Sequence, residues 1–451
     1  MKLLVQFILI CFLYSIPASL EAQTPADTLK VWNLNDCFQY AFKHNIQIAT
    51  SRLNEQSTRQ DLLQSKAQRI PSLSSTLGNT FTHAKNQDTV NRTSLVDQIV
   101  TSGIYTLNSS VILWNDNALK TNVREKNLLT QSAGFSVQEI QNSITFSITT
   151  AYLNALLAKE NLKYVADLVN TTEALEKQGE LFYQVGTIAK KDLLQLQAQL
   201  ASDRFLLVQA QNAIRQNILN LKQILQLPSE VPFDVKVPSS VDITEVLPPL
   251  QQVQQAALLS FPEVKISKLS VDISSLEIAR LRAGLKPALS ASGAVGTNYN
   301  SFLTNPFGFR GGYFTQAGNN FYQSIGITLS IPIFLNRINK TNVEKAKISY
   351  SQSVLNLQNT QLVLTQQVEQ AYLSASNANQ SYKAAQEQLV AATESYRIAN
   401  EQLKIGAVST VDLLQQRNQY VQAVQAFIQS KYTALLQHKI YEYYLGIPIT
   451  L

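Results

Sequence analysis

This sequence lacks most of what builds a catalytic or metal site. It has three histidines and two cysteines. His44, His83 and His438 show no metal-ligand spacing, and no GxSxG, P-loop or dinucleotide fingerprint occurs. An enzyme, a cofactor or a bound metal therefore has no support in the sequence. Charged residues make up only 15%, against roughly 25% in an average soluble protein, and Gln and Asn take their place. The net charge of +6 is spread along the chain without a basic run, which argues against a nucleic-acid partner. No apolar stretch is long enough for a spanning helix. The first 22 residues read as a secretory signal, with Lys2, an apolar run and a small-residue exit at Ala22. Cys11 follows Ile10 rather than a small residue, so no lipid anchor is expected. Removal of the signal leaves Cys37 alone, which excludes an internal disulfide.

Proline and glycine are scarce and clustered. No proline lies between Pro71 and Pro228, or between Pro332 and Pro448, and eight of the 15 glycines fall within residues 284–326. Such punctuation predicts very long helices separated by small stranded regions. The chain also repeats itself. VGTIAKKDLL at 185–194 returns 220 residues later as IGAVSTVDLL, and the offset carries Ala151-Tyr152-Leu153 onto Ala371-Tyr372-Leu373 and Pro228 onto Pro448. Earlier the offset is 216, with Ala41 on Ala257 and Pro71 on Pro287. A sustained offset marks a duplicated structural unit. The four-residue change places a loop of variable length between Pro71 and Val111.

Between Leu335 and Ile405 there is neither glycine nor proline. Ala371, Ala375, Ala378, Tyr382, Ala385, Leu389, Ala392, Tyr396, Ala399 and Leu403 alternate spacings of four and three, a heptad seam whose alanines admit a close neighbour. After the shared glycine of the first copy the seam resumes at Leu193, Leu196 and Leu200, then at Leu207 and Ala210. Helices of roughly 65 residues reach about 100 Å, the length of a device that spans an aqueous gap. At the turns, Gly186 and Gly406 suit the left-handed position that ends a helix. Ser409 with Asp412 fits a capping box; the first copy offers Thr187 and Asp192. A plain helical hairpin would account for the glycines, and core packing would account for Leu193-Leu194 and Leu413-Leu414.

Period-two alternation predicts strands at about 72–84, 104–114, 288–300 and 321–334. Leu73, Leu77 and Phe81 oppose Ser72, Ser74, Thr76 and Thr80; Leu289, Ala291, Gly293 and Val295 oppose Ser290, Ser292 and Ala294. Such strands suit a membrane wall with an apolar outer and a small polar inner face, although a half-buried soluble sheet alternates in the same way. Tyr299, Phe302, Phe307, Phe309, Tyr313, Phe314, Phe321 and Tyr322 are candidates for an interfacial aromatic girdle. Four strands in hydrocarbon leave two unpaired edges, so copies of the chain must join until the sheet closes. Two copies give about eight strands, too few for a water-filled path; three give about twelve.

On the duplicated VG…DLL and IG…DLL tips, the paired strands, the proline-marked junctions and the signal, the mature chain resembles the TolC family of outer-membrane efflux proteins. The resemblance implies a mainly α fold with a membrane β part: a homotrimer whose twelve-stranded barrel continues into a periplasmic helical tunnel. It implies docking to a periplasmic adaptor and to an inner-membrane transporter of RND, ABC or MFS type. Residues 23–228 would form the first repeat and 263–451 the second. Segment 229–262 would be the proline-rich connector and equatorial belt, and the tip turns would lie at 184–192 and 404–412. Gly186, Thr187, Leu193, Gly406, Ala407 and Leu413 would meet the adaptor. Asp192 and Asp412 would form the pore constriction, with Gln415 where family members place a second acidic residue. Leu403 and Val408 stand where the family can lock its tip with a tyrosine and an arginine, so closure here rests on other contacts. The rival reading is a periplasmic coiled-coil adaptor without a pore, which has no use for two strand pairs.

Overall fold

The computed structural model describes residues 30–87, 95–228, 230–238, 246–302 and 312–450. The predicted signal, Phe307 and Phe309 lie outside them. The first copy runs β1 (Lys30–Trp32), α1 (Leu34–His44), α2 (Ile46–Ala67), β2 (Ser72–Gln87), β3 (Leu95–Trp114), α3 (Ala118–Gln184) and α4 (Lys190–Leu225). After β4 (Phe233–Val235), the second runs α5 (Leu250–Ser260), α6 (Pro262–Ala283), β5 (Ala288–Phe302), α7 (Tyr313–Asn319), β6 (Tyr322–Ser330), α8 (Ile338–Lys404) and α9 (Thr410–Tyr444). Corresponding helices match in length: 11 and 11, 22 and 22, 67 and 67, 36 and 35 residues. The offset is 216 up to the start of β5 and 220 from α8 onward, so the four extra residues fall inside the second hairpin, which carries α7. Helix α5 is the counterpart of α1 and α6 that of α2.

The long helices follow from the missing breakers, and their apolar seams meet within each hairpin. The main core sits at mid-length of α3, where Ile148, Tyr152, Leu153, Ala155 and Leu156 receive Cys37, Phe38 and Ala41 of α1 and Leu221 and Leu225 of α4. The parallel pair β1–β4 closes over it, tied by the Tyr152 hydroxyl donating to the carbonyls of Trp32 (3.2 Å) and Lys236 (2.7 Å). The duplication repeats this arrangement: Val253, Ala257 and Phe261 pack against Val368, Ala371 and Ala375 of α8. The proline-rich segment thus forms part of a belt around the middle of the long helices, because each short helix must bury its apolar stripe.

The second sheet is antiparallel, in the order β2-β3-β5-β6. Its register separates two faces. Leu73, Leu77 and Phe81 share a side with Leu107, Val295, Ile327 and Leu329. Ser72, Ser74 and Thr76 share the other with Ser110, Asn108, Thr106, Ser292 and Ser324. Strand β3 begins at Leu95, before the expected 104, because pairing continues to Gln87↔Leu95 beyond the alternating stretch. Strand β6 stops at Ser330 rather than 334; Pro332 has no N–H to continue the ladder. Above β6, α7 covers the edge of β5: Thr297 Oγ1 donates to the Ala317 carbonyl (2.6 Å), and the Asn300 N–H donates to Gln316 Oε1 (3.1 Å). Tyr313 of α7 meets the rings of Tyr105 and Tyr299, gathering part of the expected aromatic girdle on the apolar side.

Below the sheet, the helices keep the same order. Asn122–Gln68 (3.2 Å) and Lys126–Asp61 (3.3 Å) join α3 to α2, Arg280–Glu125 (3.2 Å) joins α6 to α3, and Ser274–Ser353 (2.9 Å) joins α6 to α8. The wall of strands therefore passes directly into a wall of helices. At each β-to-α junction two successive residues take left-handed backbone, Asp116-Asn117 and Asn336-Arg337.

Cys37 reports on the belt. It is fully buried, and burial, with Asp36 adding, pushes its thiol up to about 12. Because the thiolate is the nucleophile, the native protein should resist maleimide at pH 8 and react fully in urea. Rapid labelling without denaturant would contradict this placement of α1.

Candidate functional site at the helical tips

Both tips are Schellman turns. Gly186 and Gly406 have φ of 79° and 71°, and a side chain at either would meet no neighbour, so backbone conformation alone selects glycine. The N–H of Thr187 donates to the Phe182 carbonyl (2.8 Å) and that of Ala407 to the Gln402 carbonyl (2.9 Å), closing each helix. At the start of α9 the expected box is present: the Asp412 N–H donates to Ser409 Oγ (3.2 Å) and the Ser409 N–H to Asp412 Oδ2 (3.2 Å). At the start of α4 the cap is Ala189, not Thr187. Only half a box forms there, with the Ala189 N–H donating to Asp192 Oδ2 (3.3 Å). Helix capping thus accounts for the local geometry of both aspartates.

The two tips lie side by side around a groove of about 530 Å³, bordered by Phe182, Thr187, Asp192, Leu403, Gly406 and Val408. Gly186, Thr187, Gly406 and Ala407 are exposed at the apex, whereas Leu193 and Leu413 are buried inside the hairpins. Gln415 borders a second groove, of about 560 Å³, between α4 and α9. Gln195 and Gln199 face it from one copy and Gln415 and Gln419 from the other, and the repeat offset of 220 relates the two pairs. Its wall is polar and almost free of charge. Among the described residues, no group of three or more His, Cys, Asp or Glu could hold a metal.

One level above the turns lies a buried polar cluster. Asp203 of α4 and Arg417 of α9 are each 1% exposed and ion-paired. Thr172 of α3 donates to Asp203 Oδ2 (2.6 Å), Gln199 donates to Asp203 Oδ1 (2.9 Å), and Arg417 Nη2 donates to Thr172 Oγ1 (2.7 Å). The cluster joins the two hairpins. Tyr164 and Tyr396 stand beside it, and burial raises both phenols above their ordinary range. Among the described residues, Arg417 Nε and the Tyr164 hydroxyl have no hydrogen-bond partner.

The sequence held a trace of this cluster. Asp203 occupies the seam position between Leu200 and Leu207, and Arg417 the one after Leu413. A polar residue at such a position specifies pairing at some cost in stability. Gly179 was also unmarked; a Cβ there would lie 2.4 Å from Leu196 Cδ1, so α3 and α4 touch closely at that point.

The clasp has a distinctive mutational signature. Arg417→Met should destabilise the chain by about 3–5 kcal/mol, because it strands a buried carboxylate, whereas Asp203→Leu with Arg417→Leu should recover most of that loss. Urea unfolding of the three proteins checks this; equal losses in the single and double variants would mean that the pair is not closed.

Comparison with known proteins agrees with this architecture. No curated protein matches the chain. Residues 253–438 match the family described as Outer membrane efflux protein. Among solved structures, CusC aligns at 18% identity with a TM-score of 0.77, covering 95% of either chain. The CmeC outer membrane channel of Campylobacter jejuni aligns at 20% identity and a TM-score of 0.75, over 92% of this chain and 85% of that one. The open-state MtrE outer membrane channel of Neisseria gonorrhoeae aligns at 16% and 0.72, over 92% and 88%. At such identities these likenesses establish the fold. The chain thus has the whole-length fold of these outer membrane channels, and its second repeat is similar to the outer membrane efflux protein family.

Proposed function

We propose that this chain is the outer-membrane exit channel of a tripartite efflux or type I secretion system, passing solute passively from a periplasmic assembly to the outside. The observation that carries this reading is the two-faced sheet with both long edges open. Ile325, Ile327 and Leu329 of β6 are exposed on the apolar face, and every residue of β6 is exposed. The other outer strand, β2, is likewise open along its far edge. In hydrocarbon both edges need partners, and the alternating directions of the strands let β6 of one copy pair antiparallel with β2 of the next. Three copies satisfy this with about twelve strands and an aqueous bore.

The helical wall prolongs that bore into the periplasm. The exposed tip residues Gly186, Thr187, Gly406 and Ala407 serve the adaptor, with Leu193 and Leu413 supporting them from inside the hairpins. Asp192, Asp412 and Gln415 line the narrow end, and the inner-membrane transporter, of RND, ABC or MFS type, supplies the energy. The signal is removed and the protein stays in the outer membrane without a lipid anchor. A soluble adaptor would gain nothing from an apolar sheet face.

Purified oligomer in planar bilayers tests the pore directly: steady conductance supports the reading, and a monomer soluble without detergent refutes it. Asp412→Asn keeps a cap acceptor while deleting the charge, so it should lower cation preference about severalfold with little loss of stability. An unchanged reversal potential would remove Asp412 from the constriction. Gly406→Trp forces an L side chain into left-handed backbone, which costs about 1–2 kcal/mol. It should abolish adaptor-dependent export while the oligomer still assembles; normal export would detach that tip from docking.

A further inference from the structure

The four helical segments next to the sheet are far apart in sequence, yet the fold sets them at one level. Residues 59–70, 115–126, 275–287 and 335–347 hold 13 Lys and Arg against five Asp and Glu, an excess larger than the net +6 of the whole chain. The acids are already used. Asp61 pairs with Lys126, Glu125 and Glu277 with Arg280, Asp116 with Lys286, and Glu344 with Lys347. Lys66, Arg69, Lys120, Arg124, Arg282, Arg337, Lys340 and Lys345 remain, all exposed, and none of them has an acidic partner among the described residues.

Helix geometry tells which way the collar faces. At the level of the collar, the α3 residues that bond α2 and α6 are Asn122, Glu125 and Lys126, which fall within about 100° of the helix circumference. Both neighbours therefore stand on one side of α3, the concave side of the wall. Lys120 and Arg124 project from the opposite, convex side. On α6, Ser274 bonds α8 and Arg280 bonds α3, and Arg282 falls on the convex side by the same geometry. The convex side of a closed tunnel is its exterior.

The level is fixed as well. Trp114 pairs with Leu289 at the helical end of the apolar face, one turn before this ring of cations. Closing the wall in sheet order also brings Arg337 and Lys340 of one copy toward Lys66 and Arg69 of the next. Facing cations repel unless an anion lies between them.

We propose that this collar binds the headgroups of anionic phospholipid in the periplasmic leaflet of the outer membrane. The proposal rests on the membrane reading of the sheet given above. Basic side chains just outside a bilayer's apolar zone attract anionic lipid over a Debye length, and a ring around the barrel's foot would fix its height.

Trp114 provides the readout. It is 46% exposed at the collar, whereas Trp32, the other tryptophan, is 7% exposed in the belt and is removed as Trp32→Phe. The oligomer is reconstituted in mixed phosphatidylethanolamine and phosphatidylglycerol vesicles, with one lipid at a time carrying brominated acyl chains. Brominated phosphatidylglycerol should quench Trp114 at least about twofold more than brominated phosphatidylethanolamine, and high salt should erase the preference. Lys120→Gln with Arg124→Gln and Arg282→Gln should erase it too, with quenching by the zwitterionic lipid retained. Equal quenching by both lipids in the unaltered collar overturns the proposal and leaves the membrane reading standing. No quenching by either lipid overturns the membrane reading and the collar with it. A triple variant that keeps its lipid preference but shifts the pore's ion selectivity also overturns the proposal, by placing the cations in the bore.

Discussion

A sheet that enters hydrocarbon must satisfy every backbone N–H and C=O, and this chain cannot do so alone. Within the sheet, β3 and β5 are paired on both sides, while β2 and β6 each leave one edge free. That deficit governs the rest of the architecture. It requires further copies, it requires strands tilted so that the ring can close, and it requires the helices below to continue as a wall in the same order. The contacts Lys126–Asp61, Arg280–Glu125 and Ser274–Ser353 lock that order at the helical level. Edges that are a liability for a soluble sheet become the joints of an assembly.

The stability of a single chain comes from elsewhere. The belt at mid-length buries α1 against α3 and α5 against α8, each short helix using its own copy's long helix. Toward the tips the hairpins thin out to two helices, and there the apolar seam is interrupted by Asp203 and Arg417. A buried ion pair contributes less than apolar packing of the same volume, so its presence trades stability for a specific contact. Nearer the belt the two hairpins are also joined by Lys431–Glu160 (3.0 Å) and by Tyr432 and Leu435 in the apolar core, so the clasp fixes their register toward the tips, where that core has ended.

How much of this was legible depended on the range of the physics involved. The helices were plain from the absence of proline over 72–227, despite Gly134 and Gly179 within α3, and of both proline and glycine over 338–404. The strands were plain from period two, since Leu73, Leu77, Ile325 and Ile327 must share a face once the ladder forms. Their ends were less so: β3 extends to Leu95 through residues with no alternation, because backbone pairing continues in water without an apolar requirement. Local turn chemistry at Gly406, Ser409 and Asp412 was readable within ten residues. In the first copy Ala189 took the cap position because turn geometry set it, although Thr187 has the better side chain. The clasp was not readable as a pair, because its charged members are 214 residues apart and each sits in a different copy of the repeat. Only the gap that each leaves in its own seam was visible.

The charge distribution shows the same limit from the other side. Along the sequence the cations looked diluted, with no run that would mark a binding surface. Four junctions separate strand from helix, and each contributes three or four cations within about three turns of the sheet. Because the sheet order β2-β3-β5-β6 is also the helix order, these short and unremarkable segments become neighbours on one ring. Topology, rather than local composition, concentrates them. A duplicated chain is suited to this, since a feature placed at one strand–helix junction recurs at the others, and self-assembly multiplies it again. The resulting band of charge lies where the apolar face of the sheet ends. No helix among the described residues is long and apolar enough to cross a membrane, so such a sheet closed into a barrel would need a second signal, besides hydrophobicity, to set its depth in the bilayer.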